Sequence, residues 1–187
     1  MDRPLKLADA CQLTDQLWVG GELDPADSKQ AHRQLDELIA HGIDTIIDAR
    51  IERDDIDWVT DSKPQIDYLW IGVEDAGFLM PPSWFDEGTE YALEQMHHGH
   101  VVLAHCRLGV NRGPSMAFAI LLSQGWDPID ALDLIHTRRP LARIAYAEDA
   151  MLWRAGQPGN SDGYVVLQLE RIAAWRDAHD VAHRRAI

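Results

Sequence analysis

Short β-branched apolar runs alternate with longer stretches of helical period along this chain. Leu17-Trp18-Val19-Gly20-Gly21 reads as an opening strand that ends in a glycine turn. Asp27 or Ser28 then caps a helix whose apolar positions are Ala31, Leu35, Leu38 and Ile39, stopped by Gly42. A second strand is predicted over 43–48, a short helix over 54–60 within a polar and acidic stretch, and a third strand over 68–73. Ser83 is placed to cap a helix reaching about His97, with Phe85, Ala92, Leu93 and Met96 inward. Val101, Val102, Leu103 and Ala104 form a run short enough for a strand covered on both faces. The apolar series Met116 to Leu122, ending at Gly125, reads as a largely buried helix. Asp127-Pro128 is an N-cap followed by proline at the first helical position, leading into Ala131, Leu132, Leu134 and Ile135. A helix over 146–155 turns Met151, Leu152 and Trp153 inward. Residues 156–163 read as a linker, and 164 to about 183 as an amphipathic helix carrying Val165, Leu167, Leu169, Ile172, Trp175 and Val181.

The chemistry concentrates between the Val101–Ala104 run and the helix that follows it. There Cys106, Arg107, Leu108, Gly109, Val110, Asn111 and Arg112 join a strand to a helix N-terminus. A loop of that kind points backbone N–H groups inward, and the helix dipole adds partial positive charge. Gly109 permits a positive φ, Arg112 offers a planar fork to two phosphate oxygens, and Cys106 among these donors is expected to be largely thiolate. A thiolate held under a bound phosphate is a nucleophile in position.

His105-Cys106-x-x-Gly109-x-x-Arg112 resembles the His-Cys-x5-Arg signature of cysteine-dependent protein phosphatases. The short chain is more similar to the dual-specificity branch than to the larger tyrosine-specific domains, and the likeness runs from about Leu13 to Trp153. It implies an α/β fold with a central mixed, mainly parallel sheet flanked by helices, here with an extra C-terminal helix. Residues 1–155 would form the phosphatase-like domain, and 156–187 a linker and helix packed on it or at an interface. It implies a phosphocysteine at Cys106, phosphate binding by Arg112 and the amides of 107–112, and His105 in the hydrogen-bonded base of the loop. It also implies an acid on a loop about thirty residues before the cysteine, where Asp75 lies beside Gly77. Glu74 is the alternative acid, and Asp67 and Asp86 fit that placement less well. No metal or other cofactor is required.

The chain departs from the family at Gly113, where many relatives carry Ser or Thr whose hydroxyl stabilises the departing thiolate. Ser115 is the nearest substitute, and slower phosphocysteine hydrolysis is expected. Asn111 is expected to brace the loop by bonding neighbouring backbone.

The 187 residues, 46% of them hydrophobic, suit one domain with a sizeable core. A net charge of −14 disfavours nucleic acid and anionic membrane as general partners, and also highly charged substrates unless Arg107, Arg112, Arg138, Arg139 and Arg143 make the mouth of the site locally basic. Residues 1–10 lack an apolar signal core, and two cysteines, Cys11 and Cys106, point to a reducing cytoplasm. A Cys11–Cys106 redox pair stays open. The expected partner is a phosphorylated protein. The alternatives are a phosphate-binding pseudophosphatase, or a phosphatase of an RNA 5′-phosphate or a phosphoinositide. His97, His98 and His100 lack metal-ligand spacing. The seven tryptophans are scattered as packing residues, with Trp84 alone near enough to the acid loop to meet substrate.

Overall fold

A computed structural model describes residues 5–157, 162–179 and 181. Among these the chain forms five strands and seven helices: β1 (Ala10–Gln12), β2 (Leu17–Gly20), α1 (Ser28–Ala40), β3 (Thr45–Arg50), α2 (Ile56–Ser62), β4 (Asp67–Val73), α3 (Pro82–His97), β5 (Val102–His105), α4 (Arg112–Ser123), α5 (Pro128–Arg138), α6 (Ala147–Ala155) and α7 (Asp162–Ala178). The sheet order is β1-β2-β5-β3-β4, with β1 antiparallel at one edge and the other four strands parallel. This is the expected mixed, mainly parallel α/β architecture.

Strand alternation divides the core into two layers. Trp18, Ile46 and Leu103 face α1 and α2, where Leu35, Leu38 and Val59 cover them. Val19, Ile47, Val102 and Ala104 face the opposite layer, with Phe85, Phe118, Leu132 and Met151. Helix α4 runs through that layer with every residue from Arg112 to Leu122 buried. Gly88 lets α3 approach it: a Cβ there would lie 2.6 Å from Met116 Sδ.

Caps set the helix boundaries largely where the side chains predicted them. Asp27 accepts from the N–H groups of Lys29 and Gln30, and Asp127 from those of Ile129 and Asp130. Helix α3 differs: it starts at Pro82, with Pro81 before it and no side-chain cap, so Ser83 lies inside the first turn.

Three apolar readings change. Leu152 is exposed on α6, Leu167 is exposed on α7, and Gln168 takes the buried position beside it. Trp84 is buried, its Nε1–H donating to the Ile71 carbonyl at 2.8 Å, and so is unavailable to substrate. Strand β1 has no counterpart in the sequence reading. The expected linker falls partly, and the expected end of the last helix almost wholly, outside the described residues.

Candidate active site

Strand β5 lies between β2 and β3, and its C-terminal end carries His105 and then Cys106. Ligands of open α/β sheets bind at this end of the strands. Cys106 is 2% exposed, and its N–H donates to the Gly20 carbonyl at 3.3 Å.

The loop from Cys106 to Arg112 has a defined polarity. Each carbonyl from Arg107 to Asn111 is taken by a donor outside the cup. Glu22 N–H reaches Arg107 O at 3.2 Å, and Arg139 reaches Leu108 O at 3.0 Å and Gly109 O at 2.6 Å. The N–H groups of Arg143 and Ile144 both reach Val110 O, and that of Ser115 reaches Asn111 O. Among the described residues, the N–H groups of Arg107 to Asn111 donate to no protein acceptor. Acceptors therefore face out and donors are left over beside the cysteine, the arrangement of an anion-binding nest. Gly109 has φ +60°, and a side chain there would collide with the Arg139 guanidinium.

Arg139 is the residue the sequence did not single out for this task. It is 4% exposed, and a second pair of bonds ties it to the Asp9 carboxylate at 2.9 and 2.7 Å. It buttresses the loop through those carbonyls, and the Asp9 carboxylate offsets its charge.

Arg112 is 2% exposed. Its Nη1 and Nη2 pair with the two Glu52 oxygens at 2.9 Å each, and Nη1 also donates to Val73 O at 2.9 Å. Its Nε–H is buried without a hydrogen-bond partner, 3.8 Å from Asp75 Oδ2. The guanidinium is thus anchored at one edge and retains a donor for a guest. Bonding to Arg112 pushes the Glu52 carboxyl down to about 2. Glu52 lies in the polar stretch after β3, where no sequence pattern marks a role.

Asp75 meets this constellation from the loop after β4. Tyr146 Oη–H donates to its Oδ1 at 2.7 Å, and Asn111 Nδ2 lies at 3.4 and 3.3 Å from its two oxygens. Asn111 therefore faces the acid loop instead of bracing its own backbone. Glu74 is exposed, Asp67 opens β4, and Asp86 accepts from Trp153 Nε1 at 2.7 Å. Ser115 is buried and its Oγ accepts from the Tyr146 N–H at 3.2 Å; among the described residues it makes no hydrogen bond to the Cys106 sulfur. A Cβ on Gly113 would lie 3.0 Å from the His105 carbonyl carbon and 3.1 Å from Cys106 N, so the first turn of α4 sits tightly on the loop base.

His105 is 4% exposed, with Nε2 3.6 Å from Asp48 Oδ1 and Nδ1 without a partner. Burial pushes its pKa down, against the pull of Asp48. Beneath it, the fully buried Arg50 binds Asp48, Asp55 and Glu22. Cys11 pairs with Val19 on β2, and Val19 with Ala104 on β5. Two strand spacings, about 10 Å, then separate Cys11 from Ala104. Cys106 lies two residues further along the chain, so the pair exceeds the span of a disulfide. No three His, Cys, Asp or Glu side chains among the described residues converge as a metal site.

Residues 27–153 match the family model described as dual specificity phosphatase, catalytic domain. The chain belongs to the dual specificity phosphatase family. Dual specificity protein phosphatase 14 of Bos taurus is 26% identical over 138 residues, 73% of this chain and 64% of that protein. Tyrosine-protein phosphatase yvh1 of Schizosaccharomyces pombe is 27% identical over 79 residues, 42% of this chain. The latter match takes in 24% of yvh1, so the chain spans less than two thirds of either relative. The crystal structure of PTPMT1 in complex with PI(5)P shares the fold, with a TM-score of 0.62 at 16% identity, covering 87% of this chain and 98% of that one. Helix α7 lies outside the matched residues.

Proposed function

We propose that this dual specificity phosphatase hydrolyses phosphomonoesters through a phosphocysteine at Cys106, acting on phosphotyrosine and on phosphoserine or phosphothreonine of proteins. The observation that carries the reading is the loop's polarity: its carbonyls are committed outward, while five amides and Arg112 Nε–H find no partner among the described residues around a buried cysteine. An anion with several acceptor oxygens satisfies such a set.

In this reading the Cys106 thiolate attacks phosphorus and the P–O bond to the leaving group breaks. The departing oxygen takes the proton of Asp75. A water then attacks the phosphocysteine, Asp75 accepts its proton, and the S–P bond breaks to return thiolate and inorganic phosphate. Arg112 and the amides hold the phosphoryl oxygens throughout. His105 and Ser115 support the loop without touching the phosphate.

A phosphoinositide is the second substrate class, favoured by the likeness to PTPMT1 in complex with PI(5)P. A loop without lysine and a net charge of −14 favour the phosphoprotein.

The test is hydrolysis of an aryl phosphate, a phosphopeptide and PI(5)P vesicles by the wild type and by Cys106→Ser and Arg112→Lys, with and without chelator. Chelator-insensitive turnover is expected, abolished in Cys106→Ser and reduced about 10²–10³-fold in Arg112→Lys. The phosphopeptide is expected to exceed the vesicles in kcat/KM. Phosphopeptide binding without turnover would make the protein a pseudophosphatase.

A further inference from the structure

The connection between α5 and α6 contains the sharpest backbone anomaly among the described residues. Ile144 is buried, β-branched and has φ +50°, the one described non-glycine residue with positive φ. A branched side chain avoids this region, so surrounding bonds must impose the conformation. Those bonds come from two sides. On one side, the N–H groups of Arg143 and Ile144 converge on Val110 O in the phosphate loop, at 2.9 and 3.2 Å. On the other, the side chain of Arg176 on α7 donates to both carbonyls, Nη1 to Arg143 O at 2.9 Å and Nη2 to Ile144 O at 2.8 Å. Arg176 is fully buried, and Glu148 fixes its remaining edge through two bonds of 2.7 Å.

Two residues after this anomaly the chain reaches Tyr146, which is 1% exposed. Its N–H is held by Ser115 Oγ, its hydroxyl donates to Asp75 Oδ1, and the Gly77 N–H approaches that hydroxyl at 3.4 Å. One phenol thus touches both the acid and the glycine of the acid loop. Burial and the Asp75 carboxylate both push the Tyr146 pKa up, so it stays a donor through the neutral range.

We propose that Tyr146 and, through it, Arg176 of α7 are positioning residues for the general acid Asp75, so that a helix outside the matched family domain forms part of the catalytic apparatus. The inference rests on the assignment of Asp75 as the acid. Arg176 holds the strained Arg143–Ile144 backbone, that backbone aims the Tyr146 ring, and the ring's hydroxyl fixes the carboxyl over the cup.

The test compares kcat/KM for phenyl phosphate, whose leaving group needs a proton, with that for 2,4-dinitrophenyl phosphate, whose leaving group does not. The ratio kcat/KM covers only the steps through P–O cleavage, so slow phosphocysteine breakdown does not mask the effect. In the full chain, Tyr146→Phe and Arg176→Lys are expected to lower phenyl phosphate turnover about tenfold and dinitrophenyl phosphate turnover less than about twofold. In an Asp75→Asn background both contrasts are expected to vanish. Equal losses on the two substrates, or effects that persist without Asp75, would overturn the proposal and leave the two residues a structural role. Should Arg176→Lys fail to fold, Glu148→Gln decides by the same two ratios. If Asp75→Asn itself spares phenyl phosphate, the acid assignment falls instead. That result is distinct from one in which Asp75→Asn is impaired and Tyr146→Phe is not.

Discussion

At the scale of single residues, the site depends on groups that take hydrogen bonds away from the loop. Arg139 satisfies two loop carbonyls, Leu108 O and Gly109 O, in a buried setting. Removing it leaves each acceptor desolvated at about 1–3 kcal/mol apiece. Arg139→Met is expected to lower urea-unfolding stability by at least one such increment, and to weaken orthovanadate inhibition because the amides lose their common direction. Unchanged stability and inhibition would show that the loop holds itself. Gly113 presents the opposite case. A serine there supplies the hydroxyl that the family resemblance implies, but its Cβ meets the His105 and Cys106 backbone at 3.0–3.1 Å. We expect Gly113→Ser to speed phosphocysteine hydrolysis, read as loss of a pre-steady-state burst, while costing about 1–3 kcal/mol in stability from overpacking. A wild-type enzyme with no burst would remove the premise.

At the scale of elements, close approach of α3 and α4 places the helix that presents Arg112. The contact depends on Gly88, whose missing side chain makes room for Met116. Gly88→Ala gains helix propensity but forces Met116 off its packing. The net expectation is destabilisation of about 1 kcal/mol or more, measured as a lowered urea midpoint with unchanged m. A stabilised variant would show that Met116 repacks freely. Helix α7 joins the same layer through Ile172 and Trp175, and its Arg171 pairs with Asp127, the N-cap of α5. Its buried face also includes Gln168 and Arg176, so hydrophobic periodicity describes it only in part.

For the whole molecule, a layer of buried charge lies under the loop. Arg50 and its three carboxylates surround a His105 whose pKa is lowered by burial. A histidine kept neutral in the native state binds its proton more readily once unfolded, near the ordinary pKa of about 6.5. Its contribution is therefore complete above that value and is lost as pH falls below it. Unfolding free energy is expected to decline between about pH 7 and 5.5, with at most about 1.4 kcal/mol per pH unit from this one group. His105→Asn should flatten part of that slope. An identical slope in the variant would mean that other groups carry it.

The amino-acid sequence alone determined the alternation of strands and helices, the two β-branched central strands and the Cys106–Arg112 loop. Each rests on information local in the chain: periodicity, caps, and a signature contained in eight consecutive residues. The family resemblance pointed to Asp75, which lies just after a strand and about thirty residues before Cys106. Only the tertiary structure decided what holds these residues. Glu52, Arg139, Tyr146 and Arg176 are polar side chains distant from Cys106 in sequence, and no local pattern marks the partners they bind. Strand β1 was invisible for the same reason: three half-buried residues at an edge acquire their identity from the partner strand. Burial and pairing of polar groups are properties of what the fold brings together, and a one-dimensional pattern of apolar positions carries no record of them.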